Sequence, residues 1–272
     1  MRHFGLIGKS LSHSFSAKFF NGKFKAEQIE ADYQLFEIED VATIDSLIKE
    51  HNLEGFNVTI PYKEAVIPYL YQIDEAAKKI GAVNTIVNRN GRLYGYNTDF
   101  YGLKSLIERH NVSLKGKCVA ILGSGGTSNT AYAVAQSMGA FVIVKVSRTP
   151  ADGYVSYNEL YEMADRVDVI INTTPCGMYP NIGTSAVDVA RFENLSAVFD
   201  AVYNPLASKL VYDARQLGIT ATGGLYMLVA QAVRASEIFT DTRHPEGTVE
   251  AVYEKILRSK ENIVLIGMPG SG

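Results

Sequence analysis

Short apolar runs alternate along the chain with stretches in which apolar residues recur every three or four positions, the α/β rhythm. In the first hundred residues, apolar runs at Phe4–Ile7, Tyr33–Ile38 and Gly55–Ile60 predict strands. Helical stretches follow each of them, from about Ser14, up to His51, and over Tyr62–Tyr71. A further helix over Asp74–Ile80 ends on Gly81 as its C-cap. Asn84–Asn88 and Arg92–Tyr96 flank Asn90-Gly91, the pair preferred in type I′ turns, and so predict a β-hairpin.

A helix over Asp99–His110 leads to a new apolar strand, Lys117–Leu122, and a boundary between two lobes is expected near Asp99–Gly102. Strands at Phe141–Ser147, Val167–Asn172, Ala197–Ala201 and Ile219–Thr222, separated by helical or loop segments, predict a parallel, doubly wound sheet. The helical patterns over Leu225–Phe239 and Pro245–Leu257 have no strand to follow within the fold, so they are expected to pack back onto the first lobe. The expected architecture is therefore α/β in two lobes. Residues 1–100 with 226–260 make an N-terminal α/β lobe completed by C-terminal helices, residues 101–225 make a doubly wound Rossmann-type lobe, and 261–272 form a tail.

Composition narrows the partners. With 272 residues, 47% of them hydrophobic, the chain can bury a full core. Its net charge of -3 comes from interspersed acids and bases, without the basic face that nucleic acid or anionic membranes select, so neither is expected as a partner. Cys118 in an apolar run and Cys176 in a loop offer no disulfide framework or zinc spacing, and no metal is expected. The apolar stretch at the N-terminus is too short for a signal peptide, which predicts a cytoplasmic protein.

The apolar strand ending at Leu122 runs straight into Gly123, Ser124, Gly125, Gly126, Thr127 and Ser128, after which Ala131, Val134, Ala135 and Met138 share one helical face. Glycines let the backbone turn tightly beside a pyrophosphate, and the helix start supplies free amides and a positive dipole end. Ser128 stands where a dinucleotide fingerprint has a third Gly or Ala. Past the next strand an NAD site would carry Asp or Glu for the ribose hydroxyls, but this chain has Ser147, Arg148 and Thr149. An arginine pairs with a 2′-phosphate and can stack on adenine, so NADP is the expected cofactor. The bland alternatives are an unliganded glycine turn and a solvated arginine, and the strand-and-helix context weighs against the first.

Reduction of a ketone needs a proton donor beside the carbonyl oxygen, and a lysine held by a carboxylate can serve. Candidates are Lys63, at the end of Asn57-Val-Thr59-Ile-Pro-Tyr-Lys63, and Asp99, at the end of Asn97-Thr-Asp99. Taken singly, Lys63 is a solvated helix-start residue and Asp99 an N-cap. Together with Ser12-His-Ser14-Phe-Ser16, Gly81-Ala-Val-Asn84-Thr, Tyr203-Asn-Pro-Leu206 and Gly223-Gly-Leu-Tyr-Met-Leu-Val-Ala-Gln231, these segments resemble shikimate dehydrogenase, in order from Phe4 to about Leu257.

The resemblance implies NADPH-dependent, reversible reduction of 3-dehydroshikimate to shikimate in aromatic amino acid biosynthesis, by a monomer or homodimer. It makes Lys63 and Asp99 the catalytic pair and has Ser14 and Ser16 hold the substrate carboxylate. Asn57, Thr59, Asn84 and Gln231 would bind ring hydroxyls. Gly123, Ser124, Gly125, Gly126, Thr127, Ser147, Arg148 and Thr149 would bind the cofactor, with Thr173, Met178, Tyr203 and Gly224 lining its cleft. Alternative local roles are a helix cap for Ser14 or Ser16, strand-end bonds for Asn57 and Asn84, and an exposed helix position for Gln231. The chain departs from the family at Phe100, where Gly is common after Asp99, and bulk there is expected to reshape the cleft. It also has Ser147 for the usual Asn and no second basic residue close behind Arg148, which predicts weaker selectivity for NADP. Two alternatives stay open: a relative oxidising quinate with NAD, and a non-catalytic homologue that senses the metabolite.

The run Glu261-Asn-Ile-Val-Leu-Ile-Gly267-Met-Pro-Gly-Ser-Gly272 resembles the start of shikimate kinase, without the Lys and Ser or Thr that complete a phosphate loop. A fused downstream kinase domain is the expectation from it.

Overall fold

The computed structural model describes residues 1–11, 14–149 and 151–260; Ser12, His13 and the kinase-like run at 261–272 lie outside the described residues. Two sheets carry the fold. The first takes its strands from β1 (Arg2–Gly8), β2 (Ala31–Glu37), β3 (Leu53–Val58), β4 (Gln72–Ile73), β5 (Thr85–Arg89) and β6 (Arg92–Tyr96). Between them come helices α1 (Ser16–Ala26), α2 (Ile44–His51), α3 (Tyr62–Ala65) and α4 (Glu75–Ile80). The strand order is β2-β1-β3-β5-β6-β4, with β1 parallel to β2 and β3, and the β5–β6 hairpin antiparallel. Asn90 and Gly91 both adopt positive φ at 53° and 79°, as a type I′ turn requires.

Two local expectations are corrected. The helix expected over 62–71 stops at Ala65 and restarts as a single tight turn at Ile67–Tyr69, because Pro68 has no N–H to extend a helix. The third strand begins two residues earlier than its apolar run and ends at Val58. Beyond it Tyr62 N donates to Thr59 O at 2.9 Å, so the chain turns over Thr59–Tyr62 instead of continuing the ladder.

After α5 (Thr98–Arg109), the second sheet is assembled from β7 (Cys118–Leu122), β8 (Val142–Val146), β9 (Val169–Asn172), β10 (Ala197–Asp200) and β11 (Thr220–Thr222). Its intervening helices are α6 (Gly126–Ser137), α7 (Tyr157–Glu162) and α8 (Lys209–Gln216). All strands are parallel, in the order β11-β10-β9-β7-β8. This is a doubly wound, Rossmann-type sheet, whose order reverses between β7 and β9. Ligands of such sheets bind at the carboxyl ends of the strands at that switch point.

The last two helices are α9 (Leu225–Thr240) and α10 (Thr248–Arg258). One face of α9 completes the core of the first sheet: Leu225, Val229 and Val233 pack among Phe4, Phe20 and Phe24, and the Phe239 ring stacks on Phe4 with centroids 4.9 Å apart. Met227, on another face, joins Leu103, Leu106, Val119 and Val134 beneath the second sheet. Helix α9 therefore sits between the two cores, and it crosses α5 closely. A Cβ on Gly102 would come within 2.6 Å of the Met227 carbonyl oxygen, so only glycine permits that approach. Arg109 fastens α10 to α5 through a two-pronged ion pair with Glu250 at 2.6 and 3.0 Å, its guanidinium lying over the rings of Tyr226 and Tyr253. Among the described residues no helix is long and apolar enough to cross a membrane.

Candidate active site

A cleft of about 850 Å³ opens at the carboxyl ends of the strands, lined by residues from both lobes. On its floor Lys63 Nζ donates to Asp99 Oδ2 at 2.6 Å, with side-chain exposures of 20% and 15%. The two residues come from the first turns of α3 and α5. Lys63 is fixed from behind, since its carbonyl accepts from Val83 N at 2.8 Å and the neighbouring Tyr62 is buried with its hydroxyl on Ile38 O at 2.6 Å. Asp99 does not cap α5. Asn97 does, accepting from Phe100 N at 3.1 Å, and this leaves the Asp99 carboxylate to the lysine. A carboxylate in the first turn is also favoured by the helix dipole.

Around this pair stand the other first-lobe candidates: Ser14, Ser16, Asn57, Thr59, Asn84 and Gln231 all line the cleft. Ser14 also accepts from Ser16 N at 3.2 Å, a local turn bond, and the α1 N-cap position is Phe15, without a side-chain cap. Asn84 does serve a strand end as well, accepting from Thr98 N at 2.8 Å and donating to Thr98 Oγ1 at 3.1 Å. Thr98 Oγ1 in turn reaches Gln231 Oε1 at 3.3 Å, so Gln231 faces the cleft and not solvent alone. Asn57 donates to Asn84 O at 3.1 Å and to Thr85 Oγ1 at 2.9 Å, and accepts from Tyr33 Oη at 2.7 Å. Burial pushes the Tyr33 phenol well above the usual tyrosine range, offset in part by a hydrogen bond with Ser16. Phe100 does not line the cleft. It packs against the core beneath the second sheet, because its place in the first turn of α5 points it away from Asp99.

From the second lobe, Thr127, Met178, Tyr203 and Gly224 line the same cleft. Gly123, at the end of β7, has φ +116, and a Cβ there would lie 2.6 Å from Thr173 Oγ1, so glycine is required twice over. Thr173 does not reach the cleft. Its hydroxyl is taken by the Leu122 carbonyl at 2.6 Å, which locks the turn under Gly123. No side chain caps α6, and a Cβ at Gly125 or Gly126 would meet nothing within 4 Å. Exposed Ser124 and the open backbone of Gly125 and Gly126 leave the helix-start amides uncovered, which suits a pyrophosphate. Ser128 fills the third fingerprint position fully buried, and among the described residues its Oγ has no hydrogen-bond partner. At the end of the adjacent β8, Ser147 is buried and accepts from Thr149 N at 3.3 Å. Arg148 and Thr149 are exposed, and Arg148 joins no ion pair among the described residues. That leaves a cation at the place where an adenosine 2′-phosphate would need one.

A buried hub under the second-lobe rim is absent from the sequence expectations. Asp200, fully buried at the end of β10, accepts from Ser208 Oγ, from Val202 N at 3.0 Å and from Asn172 Nδ2 at 2.8 Å. These bonds tie the end of β9 to the segment carrying Ala201 and Tyr203, and burial outweighs them to push the Asp200 carboxyl up to about 6. Tyr33, Thr85 and Thr98 are also functional-site neighbours that periodicity did not single out, although Thr98 lies inside the Asn97–Asp99 motif.

Comparison with known proteins identifies the family. A family model described as the shikimate dehydrogenase substrate binding domain matches residues 6–86. The shikimate dehydrogenase (NADP(+)) of Clostridium perfringens is 39% identical, over 94% of this chain and 98% of that one. Shikimate dehydrogenase 1 from Peptoclostridium difficile superposes with a TM-score of 0.86 at 38% identity, covering 96% of this chain and 100% of its own. The shikimate 5-dehydrogenase of Thermus thermophilus, solved with NADP(H) and shikimate, superposes at 0.81 with 25% identity over 94% of this chain and 99% of its own. With a relative of that identity matched over nearly its whole length, and with both lobes superposed, the chain belongs to the shikimate dehydrogenase family.

Proposed function

We propose that this chain catalyses the reversible, NADP-dependent interconversion of 3-dehydroshikimate and shikimate, with Lys63 and Asp99 as its proton-transfer pair. The observation that carries the mechanism is the 2.6 Å Lys63–Asp99 bond on the floor of a cleft that both lobes line. In this proposal residues 1–100 with 226–260 form the substrate lobe and 101–225 the NADP lobe. Support for the division comes from α9, whose apolar face shares a core with Phe4 and Phe20.

When bound, the nicotinamide supplies or accepts hydride at the carbinol carbon; the protein's own residues handle the oxygen. Lys63, as an ammonium, has three protons, one of them committed to Asp99. Another can hydrogen-bond the carbonyl oxygen and pass to it as charge develops there; in the oxidative direction the amine takes it back. Asp99 holds the ammonium in place and stabilises its charge. Ser14 and Ser16 offer hydroxyls to the substrate carboxylate, and Asn57, Thr59, Asn84 and Gln231 engage ring hydroxyls. Desolvating such hydroxyls without partners would cost about 1–3 kcal/mol each, which makes a polar lining selective for a polyhydroxylated acid. The amides of Gly125, Gly126 and Thr127 with Ser124 hold the pyrophosphate, Arg148 with Ser147 and Thr149 holds the 2′-phosphate, and Met178, Tyr203 and Gly224 flank the nicotinamide. Thr173 contributes by fixing the Gly123 turn.

The test is a two-by-two assay of shikimate and quinate against NADP and NAD, run on the wild type and Lys63→Ala. Shikimate with NADP should be the fastest combination, and Lys63→Ala should lower kcat about 10²- to 10⁴-fold while NADP affinity stays within about twofold. A wild type that prefers quinate or NAD, or a variant that keeps its turnover, would refute the corresponding assignment.

A further inference from the structure

Resting on the shikimate reading above, we infer that Tyr33, a core tyrosine, is the positioning residue that holds Asn57 Oδ1 as a hydrogen-bond acceptor toward one substrate hydroxyl. Three observations build this. First, both amide protons of Asn57 are committed, one to the Asn84 carbonyl at 3.1 Å and one to Thr85 Oγ1 at 2.9 Å. A carbonyl can only accept, so the amide cannot be flipped, and Asn57 presents only Oδ1 to a ligand. Second, that Oδ1 already accepts from Tyr33 Oη at 2.7 Å, which leaves one lone pair for a donor in the cleft. A ring hydroxyl is such a donor; a carbonyl or an ether oxygen at the same place is not. Third, Tyr33 is itself held rigidly. It is 2% exposed, its ring stacks on Phe20 with centroids 4.4 Å apart at 8°, and its backbone N–H donates to Asn21 Oδ1 at 2.9 Å.

The phenol therefore stands behind Asn57, which lines the cleft, and does not touch the Lys63–Asp99 pair. Losing the hydroxyl takes away the donor behind Asn57 Oδ1, so the amide stays tied to Asn84 and Thr85 but its oxygen is no longer held toward the cleft, and Lys63 and Asp99 are left as they are. The effect falls on ground-state recognition of the substrate, not on proton transfer.

Tyr33→Phe removes one oxygen and retains the ring stack. Its kinetics are measured with shikimate and with analogues of shikimate that each lack one ring hydroxyl, beside the wild type and beside Tyr33→Leu, which also removes the stack. Tyr33→Phe should raise KM for shikimate about tenfold, with kcat, the pH profile and KM for NADP all within about twofold. The wild type's preference for shikimate over one deoxy analogue should collapse in this variant, while its preference over the others persists. Unchanged KM and analogue preferences in Tyr33→Phe, with loss only in Tyr33→Leu, would reduce Tyr33 to a packing residue and overturn the inference while leaving the shikimate reading intact. A uniform loss against every analogue and cofactor overturns it equally. A wild type that does not turn over shikimate overturns both.

Discussion

Asp200→Asn isolates what it costs this fold to bury a charge beneath its second-lobe rim. In the folded chain the carboxyl titrates at about 6 instead of 3.8, a rise of about two units caused chiefly by burial. At about 1.4 kcal/mol per unit, this is a penalty on the order of 3 kcal/mol for the ionised form. The sign follows from proton binding. Between the two values the folded state holds a proton that the unfolded state has lost, so this group's stabilising contribution is complete below about pH 3.8 and is lost as the pH rises through about 6. The asparagine suits the site. Its Oδ1 can keep both bonds from Val202 N and Asn172 Nδ2, which the same Asp200 oxygen accepts, and the Ser208 hydroxyl can rotate to accept from the new amide. In urea unfolding at intervals from about pH 4 to about pH 7, the stability of Asp200→Asn relative to the wild type should climb by about 2.4 kcal/mol, most steeply at about pH 5, midway between the two values, and level off above about pH 6.5. The other carboxylates titrate in both proteins and cancel in the difference. A flat difference, or one that falls as the pH rises, would refute the assignment of a raised carboxyl at this hub.

Two further substitutions probe the cofactor side. Ser128→Ala removes a fully buried hydroxyl without a partner and should raise unfolding stability by about 1 kcal/mol, read from urea midpoints, with NADP affinity unchanged; a loss of that size would mean the hydroxyl is satisfied. Arg148→Ala deletes the exposed cation at the end of β8 and should raise KM for NADP about tenfold to a hundredfold, the worth of a charge-assisted bond, while KM for NAD stays put. Equal weakening of both cofactors would detach Arg148 from the 2′-phosphate.

The elements with long periods were legible because a single physical signal dominates each: the apolar alternation of the strands, the Asn90-Gly91 turn, and the glycine turn between β7 and α6. Errors fell where two signals compete. Tyr62–Tyr71 has helical spacing, but the missing N–H of Pro68 overrides it, and the two residues of β4 are too few to show any period. Asn97 and Asp99 are both good caps, and only the backbone shows that Asn97 takes the Phe100 amide and frees Asp99. Family resemblance suggested the Lys63–Asp99 pairing; spacing alone has no access to a contact between residues 36 positions apart. Bulk at Phe100 invited concern about the cleft, yet helix geometry sends that ring into the core beneath the second sheet. Tyr33 and Asp200 stayed hidden for a common reason. Each reads as one more polar residue at a strand's edge or end, and its role depends on partners from distant segments: Asn57 for one, Asn172 and Ser208 for the other.

The position of α9 also sets an order of events during synthesis. Every strand of the first sheet is made before the second sheet begins, yet the face formed by Phe4, Phe20 and Phe24 is covered by a helix that emerges only after the second sheet is complete. A growing chain that has not yet reached Leu225 therefore carries an open aromatic surface while the contiguous second sheet already has all of its strands. The earlier-made lobe closes last, and through that interval it is the part of the molecule a chaperone would grip. Phe239, docking on Phe4, ends that dependence.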